Sequence, residues 1–232
     1  DRSVSRGLGD VYKRQMINIA IDGPAGAGKS TIAKAVAKEL GIVYLDTGAM
    51  YRSVAYYALK NGFPIDDEKA IQPMLDNLKM DVVNGEVQQF IVNGENVTPF
   101  IREHGVSKAA SDVSKLFNVR KKLVELQQEI AKKSDVVLDG RDIGSVVLPH
   151  AEHKFFVTAA PEERAKRRYL ELKEKGSNLS YDEVLRDIED RDYNDTHRKN
   201  SPLVKVSDAV LVDTTNLDIA QTVAKVLAEI KK

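Results

Sequence analysis

The sequence predicts an α/β protein, a three-layer sandwich in which helices cover both faces of a central parallel sheet. Two observations support this prediction. Short apolar runs such as Ile17–Asp22 and Val136–Asp139 alternate with longer amphipathic stretches, which is typical of strand–helix–strand units. The first run is followed by Gly23–Ser30, which fits the G-x-x-x-x-G-K-[ST] pattern of a phosphate-binding loop, or P-loop, between a strand and a helix.

The N-terminal half of the sheet is predicted from two strand–helix pairs. Ile17–Asp22 is the first buried strand, and the helix Ser30–Leu40 follows the glycine-rich loop and ends before Gly41. A second strand, Ile42–Leu45, precedes a helix over Ala49–Lys60, which ends at an Asn-Gly pair. This order matches the beginning of a doubly wound sheet.

Residues 80–101 have a different pattern from the rest of the chain. Met80–Val83, Val87–Val92 and the segment around Val97 are separated by two Asn-Gly pairs, which are strong hairpin signals. We therefore expect a small antiparallel insert here. The charged stretch from Asn118 to Lys133 is predicted as a helix that leads back to the parallel sheet.

The C-terminal part supplies the remaining strands and a charged segment. Strands are predicted at Val136–Asp139, Lys154–Thr158 and Ala209–Asp213. The stretch Glu162–Lys199 holds ten basic and eleven acidic residues, which favours a solvated helical pair over a nucleic-acid patch. The final helix is predicted to bury one apolar face, formed by Ile219, Val223, Val226, Leu227 and Ile230.

The composition excludes several classes of protein. Among 232 residues, Lys plus Arg and Asp plus Glu number 35 each, so no global field attracts nucleic acid. The absence of cysteine excludes disulfides and thiolate chemistry, and four scattered histidines argue against zinc. No apolar run reaches the roughly 18 residues that cross a bilayer. We expect a cytoplasmic protein without a membrane or nucleic-acid partner, and a monomer.

Residues 1–15 have neither the apolar core of a signal peptide nor a strand or helix pattern. We predict that Met16 is the natural start and that residues 1–15 are a disordered N-terminal extension. A functional basic arm is the alternative.

The P-loop predicts a site for ATP or GTP with Mg²⁺. Its glycines allow backbone N–H groups to surround phosphate oxygens, and the following helix directs its positive end at the same anion. Lys29 supplies charge to the β- and γ-phosphates, and the Ser30 hydroxyl is a ligand for Mg²⁺. The predicted ATP site comprises Arg167 of the charged stretch and the loop residues Gly23, Pro24, Ala25, Gly26, Ala27, Gly28, Lys29, Ser30 and Thr31.

A second predicted ligand for the metal is Asp139. It ends a strand at the carboxyl edge of the sheet, where ligands bind in such folds, and it holds Mg²⁺ directly or through water. The P-loop alone does not distinguish GTPases, motor ATPases and small-molecule kinases. The sequence has no Asn-Lys-x-Asp segment for reading guanine, which argues against a GTPase, and the short length and the charged stretch favour a kinase with a closing lid.

Arginines recur after the strand ends and in the charged stretch. A kinase that phosphorylates an anionic acceptor needs such groups, because the planar guanidinium binds phosphate bidentately. Arg141 is the most informative, since it lies between Asp139 and Asp142 at a strand end. The others are Arg52, Arg164, Arg167, Arg168, Arg191 and Arg198.

These motifs together resemble bacterial cytidylate kinases. The segments Asp22–Ser30, Asp46–Arg52, Asp139–Gly144 and Arg191–Arg198 carry the resemblance, which runs from about Met16 to the C-terminus. The Asn-Gly-punctuated segment at 80–101 also resembles the enlarged monophosphate-binding region of the bacterial type.

The resemblance implies transfer of a phosphoryl group from ATP to CMP or dCMP, with Mg²⁺. It places Thr47 and Arg52 at the start of the monophosphate site, and Ser111, Arg120 and Asp142 around the cytosine ring. A carboxylate and a guanidinium suit that ring, because cytosine presents an amino donor beside two acceptors. It assigns the CMP phosphate and sugar to Arg141, Arg191, Asp195 and Arg198, and catalysis to Lys29, Arg141, Arg191 and Arg198.

The resemblance also defines the expected organisation. We predict one kinase domain over residues 16–232, with its core at 16–46, 134–161 and 204–232. The monophosphate-binding insert (about 47–133) and the helical lid (about 162–203) interrupt this core. Two alternatives remain open: another P-loop small-molecule kinase, and a nucleotide-dependent binding protein.

Overall fold

The computed structural model describes residues 16–85 and 87–232, which form two sheets and eight α-helices. The predicted extension 1–15 lies outside the described residues. The strands are β1 Asn18–Asp22, β2 Val43–Asp46, β3 Met80–Val83, β4 Gln89–Val92, β5 Glu95–Asn96, β6 Val136–Gly140, β7 His153–Thr158 and β8 Val210–Asp213. The helices are α1 Lys29–Leu40, α2 Thr47–Lys60, α3 Glu68–Asp76, α4 His104–Val113, α5 Phe117–Ala131, α6 Pro161–Glu174, α7 Tyr181–His197 and α8 Ile219–Ile230.

The central sheet has the order β2-β6-β1-β7-β8, and all its pairings are parallel. Successive residues of β1 point to opposite faces, so Ile19 and Ile21 pack with α1 and α8 while Ala20 packs on the other side. Two separate apolar clusters therefore lie on the two faces of the sheet. The predicted three-layer α/β sandwich is confirmed.

The parallel register brings the carboxyl ends of the neighbouring strands β2, β6 and β1 together. Asp22 is paired with Gly140, and Asp46 is paired with Asp139. The ends of β1, β2 and β6 and the segments that follow them therefore meet at one edge of the sheet, where ligands bind in open α/β folds.

The helix after the P-loop forms as the sequence predicts. Ile32, Ala33, Val36 and Ala37 are buried, which gives α1 one apolar face at helical spacing. Gly41 ends the helix in the left-handed conformation, with φ 66°, a conformation that glycine adopts without strain.

The predicted antiparallel insert is present as the sheet β3-β4-β5. Two helices that flank this sheet in the chain, α3 and α4, were not identified by the sequence analysis. A capping signal precedes α3, because the Asp67 side chain accepts hydrogen bonds from the N–H groups of Lys69 and Ala70. Pro73 lies inside that helix and obscures its pattern.

The charged stretch forms two helices, α6 and α7, as predicted. They pack on each other around a small apolar cluster of Ala165, Val184 and Ile188. At the start of α7 the Ser180 hydroxyl accepts from the N–H of Glu183, whose carboxylate accepts from the N–H of Ser180. Most charged side chains of the two helices face solvent, and Arg164 and Asp195 are buried exceptions.

Two local predictions were wrong or incomplete. Ile219 was assigned to the apolar face of the last helix, but it is the first residue of α8 and is 58% exposed. The Asp218 side chain caps the start of α8 by accepting from the N–H of Gln221. Ile219 therefore lies in the first turn, before the part of α8 that packs on the core. A single π-helical turn, Ile143–Val147, follows β6 and was not predicted. No helix within residues 16–85 and 87–232 is long and apolar enough to cross a membrane.

Candidate active site

The P-loop connects β1 to α1 at the carboxyl edge of the sheet. Gly23 has φ 147°, and a Cβ atom there would lie 1.9 Å from the carbonyl oxygen of Val157, so the position requires glycine. Gly28 precedes the helix with φ 84° and allows the chain to turn into α1. The loop is thus shaped by backbone approaches that other residues would block, as its predicted role requires.

Lys29 is buried at the first position of α1, and its Nζ donates to the carbonyl of Pro24 at 2.7 Å. Burial lowers the pKa of Lys29 well below its usual value, and the nearby guanidinium of Arg141 lowers it further. Asp139 and Asp195 act in the opposite direction. A buried cation in this environment gains strongly from an anion, because a phosphate would offset both the burial and the repulsion.

The predicted metal ligands lie next to each other. Ser30 Oγ donates to Asp139 Oδ2 at 2.7 Å, and the Tyr44 hydroxyl donates to Asp139 Oδ1 at 2.8 Å. Burial raises the pKa of Asp139, and the charge of Asp46 raises it further. Hydroxyl and carboxylate oxygens under such repulsion fit Mg²⁺, which would neutralise the excess charge.

Residues 16–85 and 87–232 do not by themselves supply a complete set of metal ligands. Within the described residues, no group of three or more His, Cys, Asp and Glu side chains could hold a metal ion. Triphosphate oxygens and water would therefore complete the shell around Ser30 and Asp139, which is usual for Mg²⁺ bound with a nucleotide.

Thr47 and Arg52, the predicted start of the acceptor site, lie at the end of β2. Thr47 Oγ1 donates to the backbone carbonyl of Asp139 at 2.6 Å. Arg52 pairs with the Asp46 carboxylate, with 3.1 Å between Nη2 and Oδ2. Asp46 also accepts from the N–H of Ala49 and so caps α2. The junction of β2 and α2, at Asp46 and Thr47, is thereby fixed to the strand that carries Asp139.

Arg120 and Asp142, two of the predicted cytosine-binding residues, form a buried ion pair. Arg198 joins them at 3.9 Å from Asp142. Ser111 lies in α4, and the described hydrogen bonds include none from its hydroxyl to Arg120 or Asp142. The link is indirect, because Arg120 donates to the carbonyl of Ser114 and the Ser114 hydroxyl donates to the carbonyl of Ser111.

The predicted phosphate-binding residues converge from two elements. Arg141 follows β6, and its Nε donates to Asp195 Oδ2 of α7 at 2.7 Å. Burial by itself would raise the pKa of Asp195, but Arg141, with Arg191 and Arg198, lowers it. Burial lowers the pKa of Arg191 to about 10, and Arg141 contributes to that shift. Positive charge therefore exceeds what Asp195 can balance.

Arginines of the predicted acceptor site have buried nitrogen atoms that no hydrogen bond satisfies. A buried donor without a partner is costly, so each of these atoms needs a physical explanation. Among the described residues, these unsatisfied guanidinium nitrogens are Arg52 Nε, Arg120 Nε, Arg191 Nε and Arg198 Nη2.

Arg167 and Arg164 connect the lid to the core. Arg167, predicted to bind ATP, donates to the hydroxyl and the carbonyl of Thr214, just after β8. Its role toward ATP stays a prediction. Arg164 donates to the carbonyl of Ala25 at 3.0 Å and to Asp192 of α7 at 2.6 Å. It therefore joins the P-loop to both lid helices, a role that was not predicted.

Asp22 ends β1 and was not among the predicted site residues. Its carboxylate accepts from the N–H groups of Ile143 and Gly144 at 2.8 and 2.7 Å. These amides begin the π-helical turn that follows Arg141 and Asp142. Burial raises the pKa of Asp22 to about 6. Asp22 therefore anchors the segment that carries two acceptor-site residues.

Sequence reasoning also missed Tyr44 and Arg102. Alternation along β2 places Tyr44 on the same face as Asp46, and this spacing could have identified it. Arg102 lies 3.8 Å from Asp46 Oδ2, although about 60 residues separate them in the chain, and no local pattern links the two. Arg102 lines a cleft of about 520 Å³ near α1, together with Ser30, Lys34, Asp46, Arg52 and neighbouring residues.

Comparison with known proteins identifies the family. The family model for cytidylate kinase matches residues 19–232. The cytidylate kinase of Caldicellulosiruptor saccharolyticus is 51% identical over 213 residues, which cover 91% of this chain and 94% of that protein. The cytidylate kinase of Listeria monocytogenes is 51% identical over 217 residues, covering 93% and 97%.

Among solved structures, an uncharacterized protein from Eubacterium ventriosum matches with a TM-score of 0.53 and 12% identity. The match covers 94% of this chain and 99% of that chain, and it supports the fold only. The family model and the two curated relatives together extend over nearly all of the chain, as the predicted resemblance does. This chain belongs to the cytidylate kinase family.

Proposed function

We propose that this protein transfers the γ-phosphoryl group of ATP to CMP or dCMP and releases ADP with CDP or dCDP. The observation that carries the proposal is the set of unsatisfied guanidinium nitrogens on Arg52, Arg120, Arg191 and Arg198. They surround the P-loop edge from the insert and from the lid, so an anionic acceptor bound there would face the γ-phosphate.

The reaction needs alignment more than proton transfer. An oxygen of the acceptor phosphate attacks the γ-phosphorus while the bond to the β,γ-bridging oxygen breaks, and ADP leaves. The attacking oxygen is already anionic near neutral pH, so no strong general base is required. The few histidines of the chain are consistent with this mechanism.

Charge stabilisation would come from Lys29, Arg141, Arg191 and Arg198. The Arg141 guanidinium is close enough to Lys29 to lower its pKa by charge repulsion. A transferring phosphoryl group between the two cations would relieve that repulsion. Arg191 and Arg198 belong to the lid side and meet Arg141 through Asp195. Fixed charges of this kind stabilise the transition state without reorganisation of solvent.

The base specificity rests on Arg120 and Asp142. In our proposal the carboxylate accepts from the cytosine amino group and the guanidinium donates to the ring acceptors. Uracil presents a carbonyl instead of the amino group, so it would leave the Asp142 carboxylate without a donor. Ser111 is linked to Arg120 through Ser114, whose hydroxyl donates to the Ser111 carbonyl and whose own carbonyl accepts from Arg120. We propose that Ser111 completes the pocket for the base.

Mg²⁺ would be held by Ser30 and Asp139. The buried carboxylates of Asp139 and Asp46 already repel each other there. Bound there with ATP, it supplies charge that neutralises the phosphate oxygens. The helical lid has a separate role, which is to exclude water so that ATP is not hydrolysed instead. The cytoplasmic location and the monomeric state stay predictions.

A coupled assay of ADP release tests the proposal. CMP, dCMP, UMP, AMP, GMP and dTMP are compared as acceptors at fixed ATP and Mg²⁺. We expect CMP and dCMP to give the highest kcat/KM. A preference for another monophosphate, or for none of them, would overturn the acceptor assignment while leaving the P-loop assignment intact. ATP hydrolysis without any acceptor would favour a nucleotide-dependent binding protein.

A further inference from the structure

Strand β2 lies at one end of the central sheet, next to the candidate active site. Its inner side pairs with β6, and Val43 N donates to the carbonyl of Asp135 at 3.0 Å. In a parallel strand, alternate residues turn their backbone groups to opposite sides. The carbonyl of Tyr44 and the N–H of Asp46 therefore face outward, where no strand lies beside β2 in the described part of the chain.

The side chain of Gln88 binds these two outward groups. Its Nε2 donates to the Tyr44 carbonyl at 2.6 Å, and its Oε1 accepts from the Asp46 N–H at 3.0 Å. These are the two hydrogen bonds that the N–H and C=O groups of one residue in an additional parallel strand would make. Only one orientation of the side-chain amide satisfies both, and Nε2 also donates to Asn84 Oδ1 at 2.8 Å in the same orientation.

Gln88 belongs to the segment between β3 and β4, so its hydrogen bonds join the insert to the core. They do so at the residues that begin the acceptor site. Asp46 caps α2 and pairs with Arg52, while Thr47, the next residue, donates to the carbonyl of Asp139. A shift of the Asp46 backbone would therefore move Thr47 and the Asp46 carboxylate together.

We propose that Gln88 is a positioning residue for the acceptor site. It latches the antiparallel insert onto the outer edge of β2 and holds Asp46 and Thr47 in the geometry that acceptor binding needs. The kinetic part of this inference rests on the proposed function, since its readout is the use of CMP. The latch itself is measurable without substrate, because one backbone amide, that of Asp46, reports it.

Gln88→Ala and Gln88→Met test the proposal, and Gln89→Ala is the matched control. Methionine keeps the length of the side chain and removes all three of its hydrogen bonds, those with Tyr44, Asp46 and Asn84. Gln89 is the neighbouring, exposed residue at the start of β4. We expect both Gln88 variants to raise the KM for CMP about three- to tenfold, the factor that one hydrogen bond carries. The KM for ATP should stay within about twofold, and Gln89→Ala should match the wild type.

Amide hydrogen exchange at Asp46, followed by NMR in the full-length protein without nucleotide, is the second readout. Loss of Gln88 Oε1, the hydrogen-bond acceptor of this amide, should speed its exchange about tenfold or more. The amide of Ala49, which donates to the Asp46 side chain, should respond less. Unchanged exchange at Asp46 would overturn the latch. Faster exchange with a KM for CMP equal to that of Gln89→Ala would overturn the positioning role.

An equal rise of the KM values for ATP and CMP would also overturn the positioning role of Gln88, since that result would indicate that the substitution disturbs the whole active site. Failure of the proposed function has a different signature. In that case the wild type itself would not phosphorylate CMP, whereas exchange at Asp46 would still report whether Gln88 holds the strand.

Discussion

Replacement of Asp142 by alanine tests both the packing of the site and its base specificity. Asp142 and Arg120 are 5% and 4% exposed, and they form an ion pair. Arg198 lies 3.9 Å from Asp142 on the other side. Asp142→Ala therefore leaves two closely spaced guanidinium groups without the carboxylate between them. Asp195, 3.9 Å from Arg198, is the nearest remaining negative charge.

The expected loss of stability follows from this burial. Removal of one partner from a buried ion pair costs about 3–5 kcal/mol, because the other charge stays buried without compensation. Asp195 offsets part of that cost, through its contact with Arg198 and its charge near Arg120, so we expect about 3 kcal/mol, the lower end of this range. Such a loss is a large share of the roughly 5–15 kcal/mol that stabilises a typical domain.

The expected loss of activity is selective for the acceptor. A hydrogen bond to a charged group contributes about 1.5–3 kcal/mol, which corresponds to about 10- to 150-fold in kcat/KM for CMP. The KM for ATP should change less than about twofold, because Asp142 is not among the P-loop residues. Urea unfolding followed by circular dichroism measures the first effect, and the coupled ADP-release assay measures the second.

Two further variants separate structure from specificity. Asp112→Ala is the control, since Asp112 pairs with Lys115 at the surface and such pairs contribute about 0–1 kcal/mol. Arg120→Met/Asp142→Leu removes both charges, so it should recover much of the lost stability and still use CMP poorly. The reasoning is refuted if Asp142→Ala costs less than about 1 kcal/mol, or if its kinetic parameters for ATP and CMP change together.

Three other substitutions have clear expected outcomes. Lys29→Ala should lower kcat about 100-fold or more, because it removes a cation that stabilises the transferring phosphoryl group. The urea midpoint should stay unchanged, because folding does not depend on this buried cation; a protein that fails to fold would contradict the assignment. Gly23→Ala should prevent saturable ATP binding by calorimetry, since its Cβ would meet the Val157 carbonyl; wild-type affinity would be inconsistent with that clash. Because burial raises the pKa of Asp22 to about 6, native Asp22 holds a proton that the unfolded chain has released, and this contribution to stability is lost as pH rises from about 4 through 6. The wild type should thus lose about 1 kcal/mol relative to Asp22→Asn between pH 5 and 7 in urea titrations, and parallel pH curves would argue against the shift.

Much of the fold could be predicted because its signals are local. The pattern from Ile17 to Leu40 combines a buried strand, a glycine-rich loop and an amphipathic helix within about 25 residues, and each part is determined by neighbouring residues. The same is true of the two Asn-Gly pairs that mark the antiparallel insert. By contrast, α3 was missed because Pro73 interrupts its pattern, and Ile219 was misplaced because periodicity does not reveal where a helix leaves the core.

The active-site residues were predicted to different degrees for a related reason. Lys29 and Ser30 lie within one short motif, so spacing alone indicates their chemistry. Arg120 and Asp142 were named by resemblance, and only the folded chain brings them into an ion pair across 22 positions. Gln88 carries no sequence signal of its role, because its partners on β2 lie more than 40 residues away.

The sequence by itself determined the sandwich, the P-loop and the family, since these depend on periodicity, glycine positions and motifs that are read along the chain. The tertiary structure alone decided which arginine nitrogens remain unsatisfied, how Asp139 and Asp46 repel each other, and where the insert attaches to β2. The physical reason is that burial, charge and hydrogen bonding act through space. Parallel strands bring the ends of distant segments to one edge, and no local pattern encodes which side chains meet there.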